Sequence, residues 1–283
     1  MNDLGELAIE RLHDLTLRVA SGPSPMPGHL RVRIWFEGAT PPRDLPGAEY
    51  AVDRDGFVVV AKVRGVPLSI ELWTDDGWSG HLSDVRAELT AHDSPVQVVL
   101  LPPARLDVTS SIHALSDADE CVVVACPIDA ITIGNRLLRH GRAPESRIRQ
   151  GHFTRAGIAV IEGVQPGLNR IEIISSHGTV LAREQIDIKS GQSTSIAVDP
   201  VAGVGWLDLS RSAGAGPRRF AIVSPENGIV ARSTVAPGAT DRCLLPVGPY
   251  RVIELSDGAV AQPAESAAID VAILKGDIVR LSL

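Results

Sequence analysis

Lysine is scarce in this chain, and basic charge is in the minority. Of 27 Lys and Arg residues only Lys62, Lys189 and Lys275 are lysines, and 34 Asp and Glu residues give a formal net charge of −7. Because an acidic protein is repelled by phosphate backbones, we expect no nucleic-acid partner. The preference for arginine has two interpretations, which are the base composition of the genome and a selection for bidentate contacts to a partner.

Cysteine is also rare, which argues against a disulfide framework or a zinc site. The number of cysteines is odd, and no Cys-x-x-Cys pair occurs among Cys121, Cys126 and Cys243. Cys121 and Cys126 are an odd number of positions apart, so on one regular strand they would point to opposite faces. We expect three small, buried side chains in a reducing compartment.

Long apolar runs are missing from the chain. No stretch reaches the roughly 18 apolar residues that a transmembrane helix requires. The first residues, Met1–Glu6, show neither the basic segment nor the apolar segment of a secretory signal peptide. On these grounds we expect a cytoplasmic protein without a membrane partner.

Motifs of catalysis are missing as well. The chain has no Gly-x-Ser-x-Gly, no His-Glu-x-x-His, no Gly-x-Gly-x-x-Gly and no phosphate-binding loop, and its eight histidines lack metal-ligand spacing. Four aspartates in Gly-containing turns are better explained by bonds to backbone N–H groups than by calcium: Asp53, Asp55, Asp75 and Asp76. We therefore expect a protein that is not an enzyme and has no cofactor or metal.

What the chain does contain is a series of short strands. Apolar residues alternate with polar ones from Leu15 onward, as in Leu30, Val32 and Ile34, and the runs are bounded by Gly, Pro, Asp or Asn. Alternation of this kind with regularly spaced turns is typical of an all-β sandwich or barrel. A helical pattern occurs only at residues 3–12, and it predicts a short helix within the N-terminal segment 1–13.

A pattern of a Pro/Gly corner, an apolar strand and a Gly-containing turn occurs three times. The copies run over Gly65–Gly77, Gly163–Gly178 and Leu245–Gly258. Self-similarity at a regular spacing indicates tandem modules, and Pro-containing joints follow the first two copies. The sequence predicts an all-β chain of three consecutive Ig-like or prealbumin-like antiparallel β-sandwich modules, at residues 14–103, 104–201 and 202–283.

The order of these elements resembles the transthyretin-like and carboxypeptidase-regulatory-like domains. The repeat adds strands after the turn, through Ser190-Gly191-Gln192 in the second copy and Lys275-Gly276-Asp277 in the third. At Asp53–Phe57 the first copy also has a turn that resembles the Asp-x-x-Gly-x-Phe turn of that family, with the phenylalanine directly after the glycine. The resemblance implies seven-stranded sandwiches that serve as structural or binding modules.

One stretch of the second module is basic, in contrast to the acidic chain as a whole. Residues 135–155, which we interpret as an insertion, carry six arginines and Glu145 as the sole acid. A long loop in a compact β domain is usually functional or disordered. The alternatives are a solvated loop and a docking surface for an acidic protein partner or an anionic ligand. The candidate partner-binding residues are Arg136, Arg139, Arg142, Arg147, Arg149 and Arg155.

Two tryptophans flank the Asp75-Asp76-Gly77 turn and suggest a second kind of site. Trp73 and Trp78 could stack against a glycan ring, or they could belong to the core and cover a sheet edge. From these features we expect a non-catalytic protein-interaction or scaffold component of an intracellular assembly. The alternative is a carbohydrate-binding protein of several modules.

Overall fold

The computed structural model describes residues 12–23, 25–39, 47–114, 121–128, 147–212, 214, 216–226, 228–255 and 268–283. Nearly all regular structure in these ranges is β-strand, with two short 3-10 helices at Ala87–Leu89 and Ser111–Ala114. The helix expected at residues 3–12 lies outside the described residues except at Leu12, where a strand begins. Within the described residues, the structure contains no helix with the length and apolar character that a membrane crossing requires.

The described residues contain twenty-one strands, which divide into three sets of seven that we call modules 1, 2 and 3. Module 1 contains β1 (Leu12–Ser21), β2 (His29–Phe36), β3 (Ala48–Ala51), β4 (Phe57–Arg64), β5 (Leu68–Trp73), β6 (Ser79–Val85) and β7 (Val96–Val99). Module 2 contains β8 (Ala104–Thr109), β9 (Val122–Pro127), β10 (Arg149–His152), β11 (Ile158–Val164), β12 (Gly167–Ile174), β13 (Val180–Ile188) and β14 (Ser193–Ala197). Module 3 contains β15 (Val204–Ser210), β16 (Arg218–Ser224), β17 (Gly228–Val235), β18 (Thr240–Pro246), β19 (Gly248–Leu255), β20 (Ala268–Ile273) and β21 (Ile278–Ser282).

The three modules share one topology. In module 1 a three-stranded sheet, β4-β1-β7, faces a four-stranded sheet, β3-β2-β5-β6, and the strands of modules 2 and 3 pair in the same order. This arrangement confirms the tandem β-sandwiches expected from the sequence. Whether each predicted range folds as an independent unit stays a prediction.

The sandwiches are not wholly antiparallel, which corrects one detail of the expected fold. The first and last strands of each module pair in parallel, as β1 with β7, β8 with β14 and β15 with β21. A parallel pair needs a long crossover, and here the five intervening strands provide it. The last strand of each module is thereby placed beside the first.

Strand alternation places the cores between the sheets. In β8 the side chains of Ala104, Leu106 and Val108 are buried, whereas Arg105 and Thr109 face solvent. Burial of a Leu, Ile or Val side chain contributes about 1.5–3 kcal/mol, so each module has a substantial core. Cys121 and Cys126 are buried in two different clusters, as expected for opposite faces of a strand, and Cys243 is buried in module 3.

Candidate functional site

The hairpin turn between the fifth and sixth strands has the same structure in modules 1 and 2. In module 1 the N–H of Thr74 donates to Trp78 O (2.9 Å), and the Trp78 N–H donates to the Thr74 hydroxyl (3.0 Å). In module 2 the corresponding bonds join Ser175 and Thr179, at 2.9 and 3.3 Å. Each turn contacts the next module along the chain, so one structural device forms both joints.

The turn of module 1 comes into backbone contact with module 2 through two glycines. Gly77 has a φ of 95° and Gly163, at the end of β11, has a φ of 72°. A Cβ atom on Gly77 would lie 2.2 Å from the carbonyl oxygen of Gly163. Only glycine permits both this conformation and this approach, so the joint depends on the absence of a side chain.

A buried ion cluster lies beside this glycine contact. Arg147 of module 2 is 1% exposed, and its Nη1 donates to Oε1 of Glu71 on β5 at 2.8 Å. Arg33 on β2 donates to the other oxygen of the same carboxylate. The guanidinium carbon of Arg147 also lies 4.9 Å from the ring centre of Trp73, a cation–π distance. Charges and an aromatic ring from two modules therefore share one desolvated site.

Arg149 attaches β10 to the same turn. Its Nε donates to Gly163 O at 2.9 Å, and its Nη2 donates to Asp75 O at 2.5 Å. Burial lowers the pKa of the Arg149 guanidinium, although the carboxylates of Asp75 and Asp76 act to raise it. Arg149 thus bonds to both sides of the joint at once.

The described arginines of the charge-reversed stretch therefore do not form a single exposed surface. Arg147 and Arg149 contact module 1, and Arg155 is exposed in the turn before β11. Arg136, Arg139 and Arg142 lie outside the described residues. Binding of an outside partner by this stretch stays a prediction, but Arg147 is enclosed within the chain.

The two candidate stacking tryptophans are not equivalent. Trp73 is 0% exposed and lies beneath Arg147, and its ring lies where a Cβ of Gly47 would be. Trp78 is half-buried and packs against the core of module 1. Trp73 therefore has no face for a ligand, which corrects the idea of a paired stacking platform.

The joint between modules 2 and 3 is largely apolar. Val204 on β15 and Leu244 on β18 are buried within the core cluster of module 2, and Trp206 packs against that cluster. The hydroxyl of Thr179, in the module 2 turn, donates to Val230 O at 3.2 Å. The hydrophobic core thus continues from one module into the next.

A polar cluster lies at the same joint. Nε2 of His177, in the module 2 turn, lies 3.1 and 3.2 Å from the carboxylate oxygens of Asp241 on β18, and Ser233 donates to that carboxylate. Burial raises the pKa of Asp241, but the hydrogen bonds from His177 and Ser233 hold that pKa below its ordinary value. One ligand atom from each of His177, Asp241 and Cys243 lies within 4.8 Å of the others.

The types of residue at His177 invite comparison with a catalytic triad. The Ser176 hydroxyl is 3.2 Å from Nδ1 of His177, and Asp241 is at Nε2. Ser176 directly precedes His177 and is exposed, whereas the triad mechanism requires a serine beside a substrate pocket and oxyanion donors. The contact between His177 and Asp241 therefore joins a turn of module 2 to module 3.

A cleft of about 740 Å³ opens between modules 2 and 3. Edge strand β13, the linker around Pro200 and the start of β19 line it. Tyr250 lies in its wall with its hydroxyl bonded to Pro246 O at 2.8 Å, and burial raises its pKa to about 12. The hydroxyl of this tyrosine therefore acts as a neutral hydrogen-bond donor.

Sequence reasoning found the repeated turns but missed what they contact. Thr74–Trp78 and Ser175–Thr179 end the first two copies of the repeat. A glycine at the fourth position of each turn, Gly77 and Gly178, is the signal that marks both joints. The acceptor residues, such as Glu71 for Arg147, carry no signal of their own because they lie on ordinary strands.

No protein-family model and no curated protein sequence matches the chain. Among solved structures it is similar to the Bacillus anthracis TIE protein, with 12% identity and a TM-score of 0.26 over 96% of this chain and 50% of that chain. It is also similar to GBS52, the minor pilin of Streptococcus agalactiae, with 15% identity and a TM-score of 0.32 over 64% and 94%. A third match is BcpA, the major pilin subunit of Bacillus cereus, with 11% identity and a TM-score of 0.24 over 96% and 99%. The chain spans half the length of the first of these proteins.

These matches correct three expectations from the sequence. The matched pilins are pilus components, which contradicts the intracellular scaffold, its carbohydrate-binding alternative and the cytoplasmic location. Those three interpretations were wrong. With TM-scores below 0.5 and identities below 25%, the three matches do not assign a function to this chain, nor do they single out the transthyretin-like family.

Proposed function

We propose that this chain is a non-catalytic structural protein whose three β-sandwiches are fixed to one another as a rigid array. The observation that carries the proposal is the burial of Arg147 of module 2 in an ion pair with Glu71 of module 1. If the modules moved freely relative to one another, these side chains would be exposed to water, because burial of a charge without its partner costs free energy. The proposal rests on the two joints and not on the matched pilins.

The linkers support the same proposal. Leu101 exchanges two backbone hydrogen bonds with Ser79 of module 1, at 2.8 and 3.2 Å, and the next carbonyl, of Pro102, accepts bonds from Ser190 and Gly191 of module 2. In the second linker the Asp199 carboxylate accepts the N–H of Ser111 of module 2 at 2.6 Å. On its other side the carbonyl oxygen of Gly203 accepts the N–H of Val247 of module 3 at 3.1 Å. Both short linkers are thus bonded to the modules on either side, which leaves the modules little freedom to rotate.

The family resemblance and the arginine-rich stretch remain part of this proposal. We infer transthyretin-like or carboxypeptidase-regulatory-like modules from the repeat, and the shared seven-strand topology agrees with that inference. We also infer that Arg136, Arg139, Arg142 and Arg155 are the arginines available to an acidic protein partner, since Arg147 and Arg149 bond within the chain. The absence of an enzymatic activity belongs to the proposal as well.

The test uses two glycines that differ in their surroundings. Gly77→Ala introduces a Cβ 2.2 Å from Gly163 O, whereas Gly38→Ala introduces one with no atom within 4 Å, and both positions have positive φ. The shared strain of an alanine at such a φ is about 1–2 kcal/mol, so the difference between the variants reports the joint. We expect a larger radius of gyration in X-ray scattering and faster proteolysis near residues 100–103 for Gly77→Ala only. Identical behaviour of the two variants would contradict a fixed joint.

A further inference from the structure

We propose that His177, Asp241 and Cys243 form a binding site for a divalent metal ion of the zinc type, which links module 2 to module 3. His177 belongs to the β12–β13 turn of module 2, and Asp241 and Cys243 lie on β18 of module 3. The site goes beyond the proposed structural function, and it stands on the positions of these three side chains.

The spacing of the ligand atoms is the first argument. The three atoms lie within 4.8 Å of one another, and Nε2 of His177 is 3.1 Å from Oδ1 of Asp241. Zinc bonds of about 2.0–2.3 Å place the ligands of a tetrahedral centre about 3.3–3.7 Å apart. The histidine and the carboxylate are already near that spacing, and the sulfur needs to approach by no more than about 1 Å.

The chemistry of the three donors is the second argument. An imidazole nitrogen, a carboxylate oxygen and a thiolate sulfur are the ligand types that zinc takes in proteins. Asp241 and Cys243 are two positions apart on one strand, so both side chains leave the same face. The side chains of His177 and Asp241 are 16% and 28% exposed, so a water molecule can reach the fourth position.

Neighbouring hydroxyls hold two of the ligands in place. Ser233 donates to the Asp241 carboxylate, and Ser176 lies 3.2 Å from Nδ1 of His177. A hydroxyl that accepts the Nδ1 proton leaves Nε2 as the metal-binding nitrogen, in the manner of the outer partners of known metal sites. On metal binding the Cys243 thiol releases one proton to solvent, and the neutral His177 ring binds through Nε2 with its proton on Nδ1.

Cobalt(II) provides a probe that reports each ligand type. Purified full-length protein, treated with a chelator, would be titrated with Co²⁺ and then with Zn²⁺. We expect one ion per chain, a thiolate-to-cobalt charge-transfer band, the visible bands of a tetrahedral centre and their loss when zinc displaces cobalt. Absence of binding, or binding without the charge-transfer band, would overturn the site.

Variants decide whether these three residues are the ligands. His177→Gln and Cys243→Ser should each weaken zinc binding by at least about tenfold. The matched controls His152→Gln, on the exposed face of β10, and Cys126→Ser, buried in module 2, should bind as the native chain does. His177 lies in the β12–β13 turn with its side chain 16% exposed, outside the core of module 3, so His177→Gln remains decisive if loss of the buried Cys243 thiol unfolds module 3. Equal affinity in His177→Gln and the native chain would refute the proposal.

Discussion

Arg147 and Glu71 form an ion pair across the joint between modules 1 and 2, with Nη1 2.8 Å from Oε1. The arginine side chain is 0% exposed and the glutamate side chain is 18% exposed. The partners are 76 positions apart in sequence and belong to different sandwiches. Folding of module 2 alone would leave Arg147 without the Glu71 carboxylate, so the pair couples the two modules energetically.

Substitution in this pair should destabilise the protein in a defined order. Arg147→Met removes one cation, but Arg33 still pairs with Glu71, so we expect a loss near the low end of the range of about 3–5 kcal/mol for broken buried pairs. Glu71→Gln deprives two arginines of their carboxylate and should cost more. Urea denaturation of the full chain measures both free energies of unfolding.

Arg155 provides the control for that prediction. It is exposed and lies in the same charge-reversed stretch, so Arg155→Met should change the free energy of unfolding by no more than about 0.5 kcal/mol. Similar losses for Arg147→Met and Arg155→Met would show that burial at the joint contributes little. A larger effect of Arg147→Met than of Glu71→Gln would contradict the shared role of the carboxylate.

Leu244 should couple modules 2 and 3. It belongs to a strand of module 3, but its side chain is 4% exposed within the core cluster of module 2. We expect Leu244→Ala to cost about 2–5 kcal/mol and to separate the melting of module 3 from that of module 2 in calorimetry. Leu168→Ala, at a position that is 48% exposed, should leave a melting profile close to that of the native chain.

Much of the fold could be predicted because it depends on local patterns. The alternation at Leu30, Val32 and Ile34 assigns a strand and its buried face, and residues 30 and 32 are indeed buried. The parallel pairing of β1 with β7 could not be predicted in this way. Leu17 pairs with Val96, and alternation within each strand carries no information on such distant partners.

The joints could not be predicted from local sequence for a related reason. A stretch with six arginines suggests a solvated loop, because an unpaired arginine is rarely buried. Burial of Arg147 depends on Glu71 and Trp73, which come from a different module. His177 and Asp241 are likewise 64 positions apart, so only the packing of the modules brings them together.

Acid should weaken module 3 through Asp208. The hydrogen bonds that Arg242 donates, at 2.7 and 2.9 Å, lower the pKa of this carboxyl in the folded state, and they outweigh the effect of burial, which raises it. A lowered folded-state pKa means that the carboxylate stabilises the fold at pH values above its unfolded pKa of about 3.9. That stability is lost as the pH falls below this value toward the folded-state pKa. Asp208→Asn should therefore cost about 1–3 kcal/mol at neutral pH and flatten the dependence of stability on pH in acid.

The control is Asp270→Asn, because Asp270 is exposed and pairs with the exposed Arg251. Urea denaturation from neutral pH into acid measures the free energy of unfolding as a function of pH. This dependence should be parallel for Asp270→Asn and the native chain. A parallel dependence for Asp208→Asn as well would contradict a stabilising role of the Asp208 carboxylate.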